Sequence, residues 1–177
     1  MRRRPRPSRP AFTLIETMVV VVILGILAVS VVPAIAGVSD SRQAAAWREV
    51  ERRFVVARTM AMATGRSFGV RVDPSPGTFA LLEMPASGGA PTAAHDALGQ
   101  TVAVWSLATA YPGTAVTSFV GGDGSSATGT VWFGYDGAPQ RRTSAGALLG
   151  GFTQDASVTL TGGRTVTIRR TSGLIER

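Results

Sequence analysis

The sequence predicts an α+β chain: a long N-terminal α-helix packed on a C-terminal antiparallel β-domain. Three observations carry this reading. Residues Thr17–Ser39 form an uncharged, largely apolar run of 23 residues. Beyond it a helical apolar stripe continues to Ala61. After Arg66 the pattern changes to period two, in short runs broken by Gly, Pro and Asp.

The chain opens with a basic tail. Arg2, Arg3, Arg4, Arg6 and Arg9 all precede residue 11, and the 18 basic residues of the chain are all arginine. From Phe12 onward 13 arginines face 11 acids, so the formal net charge of +7 falls to +2. The positive charge is therefore mainly a property of the tail and weak support for nucleic-acid binding. The chain has no cysteine, which removes disulfides, thiolate metal ligands and cysteine nucleophiles together. The β-region must be held by its own apolar core.

The run Thr17–Ser39 is long enough to span a bilayer at about 1.5 Å per residue. It is also longer than the apolar core of an ordinary secretory signal. The arginines place the N-terminus in the cytoplasm and the C-terminal part across the membrane. Glu16 sits at the entry to this run. A carboxylate there is inexpensive at headgroup level and costly any deeper, where ionisable groups serve function. Position alone leaves both readings open.

The order of residues is basic tail, Ala11, Phe12-Thr13-Leu14-Ile15-Glu16, then the apolar run. This resembles the class III signal of type IV pilins and of the pseudopilins of type II secretion. The resemblance implies that a prepilin peptidase cuts between Ala11 and Phe12 and that the new N-terminal Phe12 is methylated. Ala11 stands where that family usually has glycine. The resemblance also gives Glu16 an assembly role, neutralising the Phe12 ammonium of a neighbouring subunit and so setting register. Two charges that are expensive alone in lipid become much less so when paired. Gly25 and Pro33 match the family's helix-breaking positions, which implies loosening there in a filament; proline removes a backbone donor in any case.

From residue 39 the helix becomes one-sided. Trp47, Val50, Phe54, Ala57 and Ala61 fall at spacings of 3 and 4, an apolar stripe along one face. Arg48, Glu49, Arg52 and Arg53 lie off it, with Glu49 and Arg53 at i,i+4. Gly65 reads as the C-cap. The expected divisions are a leader 1–11, a transmembrane or filament-core half 12–38, an amphipathic half 39–65 and a periplasmic β-domain 66–177.

Strands are expected over Ser67–Val72, Thr78–Met84, Thr101–Leu107, Thr114–Val120, Thr130–Tyr135, Ser157–Thr161 and Arg164–Arg170. Gly162-Gly163 reads as a two-residue hairpin turn that puts Val158 and Leu160 on one buried face with Val166 and Ile168. Pro85–Gly99, rich in Ala, Gly and Pro, reads as a mobile loop. The run TVWFGYDGAPQRR followed by a final hairpin resembles the C-terminal half of the H-type secretion pseudopilins and the Fim-T-type minor pilins.

No constellation suggests an enzyme. His95 is the single histidine and falls in the Ala/Gly-rich loop, and the acids show no metal-ligand spacing. Gly121-Gly122-Asp123-Gly124 lacks the Lys-Ser/Thr of a phosphate-binding loop and reads as a turn. No cofactor or metal is expected. Residues 67–140 hold one arginine and five acids, whereas 141–177 hold six arginines and two acids. Arg141, Arg142, Arg164 and Arg170 are therefore the candidate contacts to DNA or another anionic partner. Against DNA, Arg169 and Arg170 are adjacent on a strand and face opposite sides, with no aromatic interleaved to stack bases.

The expectation is a minor pseudopilin of the H type in the bacterial inner membrane. Its partners would be other pilin-like subunits, the prepilin peptidase, the assembly platform and membrane lipid. The alternatives are a minor type IV pilin in pilus assembly or DNA uptake, and a signal-anchored periplasmic domain with no filament role.

Overall fold

The computed structural model describes residues 13–96 and 98–176, excluding the side chains of 28–37. The expected leader, which ends at Ala11, and the methylation site Phe12 lie outside the described residues. The chain divides into two compact units, Met1–Asp40 and Ser41–Arg177, and a helix assigned to Leu14–Thr64 (α1) contributes to both. It ends where the sequence ends it. Gly65 adopts a φ of 70° and its N–H closes the last turn on the Ala61 carbonyl at 3.1 Å, the left-handed cap that glycine reaches without a Cβ penalty.

In the first unit the described structure is helical from Leu14 and apolar without cover. Among the described residues no helix is long and apolar enough to cross a membrane. The span expected over Thr17–Ser39 includes residues 28–37, whose side chains lie outside the described set.

The second unit wraps strands around the stripe of its helix. In chain order they are β1 (Phe68–Asp73), β2 (Thr78–Glu83), β3 (Thr92–Ala93), β4 (Trp105–Ser106), a short helix α2 (Leu107–Ala110), β5 (Val116–Val120), β6 (Gly129–Phe133), β7 (Pro139–Arg142), β8 (Leu148–Gly151), β9 (Ala156–Leu160), β10 (Thr165–Ile168) and β11 (Ile175–Glu176). One antiparallel sheet runs β3-β2-β1-β6-β7-β8, with β4 also on β2; the second runs β11-β10-β9-β5. Val50, Phe54, Ala57 and Ala61 are fully buried against Phe68, Val70, Val72, Val131 and Phe133 of the first sheet and Val158, Leu160, Val166 and Ile168 of the second. Period 3.6 on the helix and period two on both sheets thus meet in one core.

Specific polar contacts fix the helix to the sheets. Trp47 donates its indole N–H to the Thr165 carbonyl at 3.1 Å. Arg58 reaches the Gly137 carbonyl through Nε and the Ser172 carbonyl through Nη2, both at 3.1 Å. Glu49 pairs with Arg52 at 2.7 Å and with Arg53 at 3.2 Å, and the Arg52 hydrogen bond is the main reason its carboxyl stays below the usual glutamate value.

Several expectations need correction. Thr101–Leu107 is not one strand: only Trp105–Ser106 pairs with β2, and Ser106 then caps α2 by accepting from the Thr109 N–H. Aromatic packing governs this segment, with Trp105 5.4 Å from Phe79 and 6.2 Å from Tyr111. Arg53, off the stripe as expected, packs its guanidinium 4.3 Å from the centroid of the Trp105 ring, a cation–π contact. Pro85–Gly99 is not an untethered loop. Thr92–Ala93 pairs with Leu82–Glu83, Ala94 is buried, and His95 bridges to Thr101. His95 also meets Glu83 at 2.9 Å, and Arg66 meets the same carboxylate at 3.3 Å. The final hairpin loop has three residues rather than two, because Thr165 pairs with Thr159 and the Leu160 N–H donates to the Arg164 carbonyl. Gly162 and Gly163 take φ of 88° and 76° there.

Candidate functional site: the N-terminal segment and the arginines

Thr13 precedes α1, and its hydroxyl and carbonyl both accept from the Glu16 N–H, at 3.4 and 3.1 Å. Thr13-Leu14-Ile15-Glu16 is thus the T-x-x-E pattern of a capping box, with its first leg formed. Sequence reading gave Glu16 a register role through the family resemblance but missed the capping signal, the Thr three residues before it. A carboxylate in the first turn also complements the helix dipole. Among the described residues, however, the Glu16 carboxylate has no ion-pair partner and is exposed to solvent.

The apolar side chains that follow are bare. From Leu14 at 79% to Leu27 at 54% relative exposure, Ile15, Met18, Val19–Ile23, Leu24 and Ile26 all lie open. Soluble monomers seldom expose an apolar surface this continuous, and such surfaces mark contact with protein or lipid. Gly25 belongs to the same helix, and a Cβ placed on it would meet nothing within 4 Å. The helix assignment passes through Pro33, whose side chain lies outside the described set.

The four candidate arginines do not form one patch. Arg141 and Arg142 are on β7 of the first sheet, whereas Arg164 and Arg170 flank β10 of the second. Six residues of extended chain separate Arg164 from Arg170, roughly 20 Å. Each already has a local role. Arg164 lies 5.7 Å over the Trp47 ring. Arg170 donates to the Thr153 carbonyl at 3.2 Å through its side chain and to Asp155 at 2.8 Å through its backbone. That backbone bond is the leading cause of the lowered Asp155 pKa. Arg141 donates to the Gly151 carbonyl at 2.8 Å, and Arg142 ties β7 to Ser67 at 2.9 Å.

Among the described residues no group of three or more His, Asp or Glu side chains lies together where it could hold a metal ion. Comparison with curated proteins and with solved structures returns no match. Residues 6–32, however, match the family model described as the prokaryotic N-terminal methylation motif. That stretch contains Ala11, Phe12 and Glu16 and the exposed apolar run as far as Leu27. The chain therefore carries, over residues 6–32, the N-terminal methylation motif that is the prepilin signal of type IV pilin-like proteins.

Proposed function

We propose that the chain is a minor pseudopilin of the H type, a non-catalytic subunit held by its N-terminal segment first in the inner membrane and then in a short filament. The observation that carries this reading is the apolar helix surface from Leu14 to Leu27, bare on all sides, within the methylation motif. Burying such a surface is worth about 25 cal/mol per Å², so lipid or like helices are its natural surroundings. The ordering of the β-domain supports the H type: the aromatic strand β6, the turn at Asp136-Gly137, and a closing hairpin β9–β10. Use in a type IV pilus has the same signal and the same helix. The dispersed and locally engaged arginines favour secretion over DNA uptake.

Cleavage after Ala11 frees an ammonium at Phe12 that, in the filament, Glu16 of the next subunit neutralises. Expression in a host with an active prepilin peptidase tests both steps. The mature chain should begin at methylated Phe12 by intact mass, and Glu16→Ala should be cleaved normally yet fail to enter filaments. An uncleaved, unmethylated chain would favour a simple membrane anchor. Filament incorporation of Glu16→Ala at the unsubstituted level would refute the register role.

A further inference from the structure

The solvent-side face of the first sheet holds a groove of about 560 Å³ that the N-terminal segment does not explain. Its floor follows from register. Gly69 of β1 lies opposite Trp132 of β6, and Arg71 lies opposite Thr130, so these four residues share one face. The indole lies directly on Gly69, where any Cβ would come within 2.7 Å of the ring. Trp132 is consequently only 3% exposed. The turn Gly121–Ser125, with Phe152 packed on its Gly122, and Leu149 complete the lining.

Arg71, Arg141 and Arg142 are all among the residues that line this groove, although the Arg142 guanidinium is turned to Ser67 and Gly146, outside it. Arg71 is exposed and has no hydrogen-bond or ion-pair partner among the described residues. Arg141 spends one N–H on the Gly151 carbonyl. Arg142 has only neutral partners, the Gly146 carbonyl, the Ser67 hydroxyl and the Gln140 amide oxygen. Its Nε is buried with no acceptor, and burial lowers its pKa with no carboxylate to oppose the shift. The single acid of the groove, Asp123, accepts from the Ser125 N–H at 3.0 Å. Arg71 and Arg141 thus face the single carboxylate of Asp123, which Arg141 already helps to stabilise, and positive charge is in excess along the groove.

We propose that this groove binds an acidic, extended peptide segment of a partner protein, with its carboxylates on Arg71 and Arg141 and its apolar side chains against Leu149 and Phe152. Guanidinium forks match carboxylates with two parallel hydrogen bonds. The mixed lining discriminates between anions. A nucleic-acid strand stacks successive bases on exposed aromatic faces, whereas Trp132 is buried and Phe152 is half-buried against the core and Gly122. A peptide that alternates acidic and apolar residues meets both the arginines and the apolar side chains of Leu149 and Phe152.

The test uses the full chain in detergent and three fluorescently labelled probes. These are a peptide alternating leucine and glutamate, its leucine–glutamine counterpart, and a single-stranded oligonucleotide. The acidic peptide should bind saturably, weaken with salt and outcompete both other probes. Arg71→Gln with Arg141→Gln should weaken it about tenfold or more, whereas Arg170→Gln, outside the groove, should not. Arg71 is exposed and Arg141 makes one bond, so the double variant should melt with the parent, and that is measured alongside. Equal binding of the glutamine peptide, tighter binding of the oligonucleotide, no saturable binding, or indifference to the double variant would each overturn the proposal.

Discussion

The two parts of α1 show how one secondary structure can be built to two different ends. Between Leu14 and Leu27 every described side chain is open, apolar residues included. Between Ala46 and Ala61 the apolar side chains divide sharply, with Ala46, Val50, Phe54, Ala57 and Ala61 fully buried while Glu49 and Arg52 pair on the outer side. The first part has no amphipathic period, the pattern of a helix meant for surroundings apolar on every side, such as a bilayer or a bundle of like helices. The second has a stripe because one side meets a core and the other meets water. Periodicity thus reports on the surroundings for which a helix is built.

Substitutions can break this contrast. The largest effect belongs to the stripe: Phe54→Ala should destabilise the β-domain by about 3–5 kcal/mol, read as a lower midpoint in denaturant. A parent-like midpoint would mean the helix is not integral to that core. Gly69→Ala comes next. Its Cβ would strike the Trp132 ring, and overpacking of this kind costs about 1–3 kcal/mol. The smallest effect on the monomer belongs to the bare part. Leu24→Ala should change the stability of the detergent-held chain by less than about 0.5 kcal/mol, yet reduce assembly. A large loss of monomer stability would show that Leu24 packs within its own chain.

Much of this was legible in the sequence. The stripe, the Gly65 cap and β1, β2, β6, β9 and β10 followed from period and turn chemistry; burial alternates along β2, β9 and β10, whereas β1 and β6 are also covered on their outer face where Trp132 lies on Gly69. What escaped was structure whose residues carry no such alternation. β7 is Pro-Gln-Arg-Arg and β8 is Leu-Leu-Gly-Gly; both lie at one end of the first sheet, where a strand is held by backbone pairing and by long-range bonds such as Arg142 to Ser67. β3 is two residues long and exists because β2 offers it an edge. The same reasoning applies to function. The FTLIE motif was readable because its residues are adjacent. The groove was not, because Arg71 joins Arg141 and Arg142 only through the pairing β1-β6-β7. The four arginines grouped by sequence position turned out to belong to separate sheets.

The fastenings of the amphipathic helix also have a mechanical meaning. Trp47 is pinned to Thr165, and Arg58, 11 residues further on, is pinned to Gly137 and Ser172. At 1.5 Å per residue the two rivets are about 16 Å apart along the axis. A pull directed along that axis would load both at once, together with the buried stripe between them, as a lap joint carries shear. Pulling the helix away sideways would instead break one fastening at a time. The β-domain is thus joined to its helix in the manner that best resists tension along the helix.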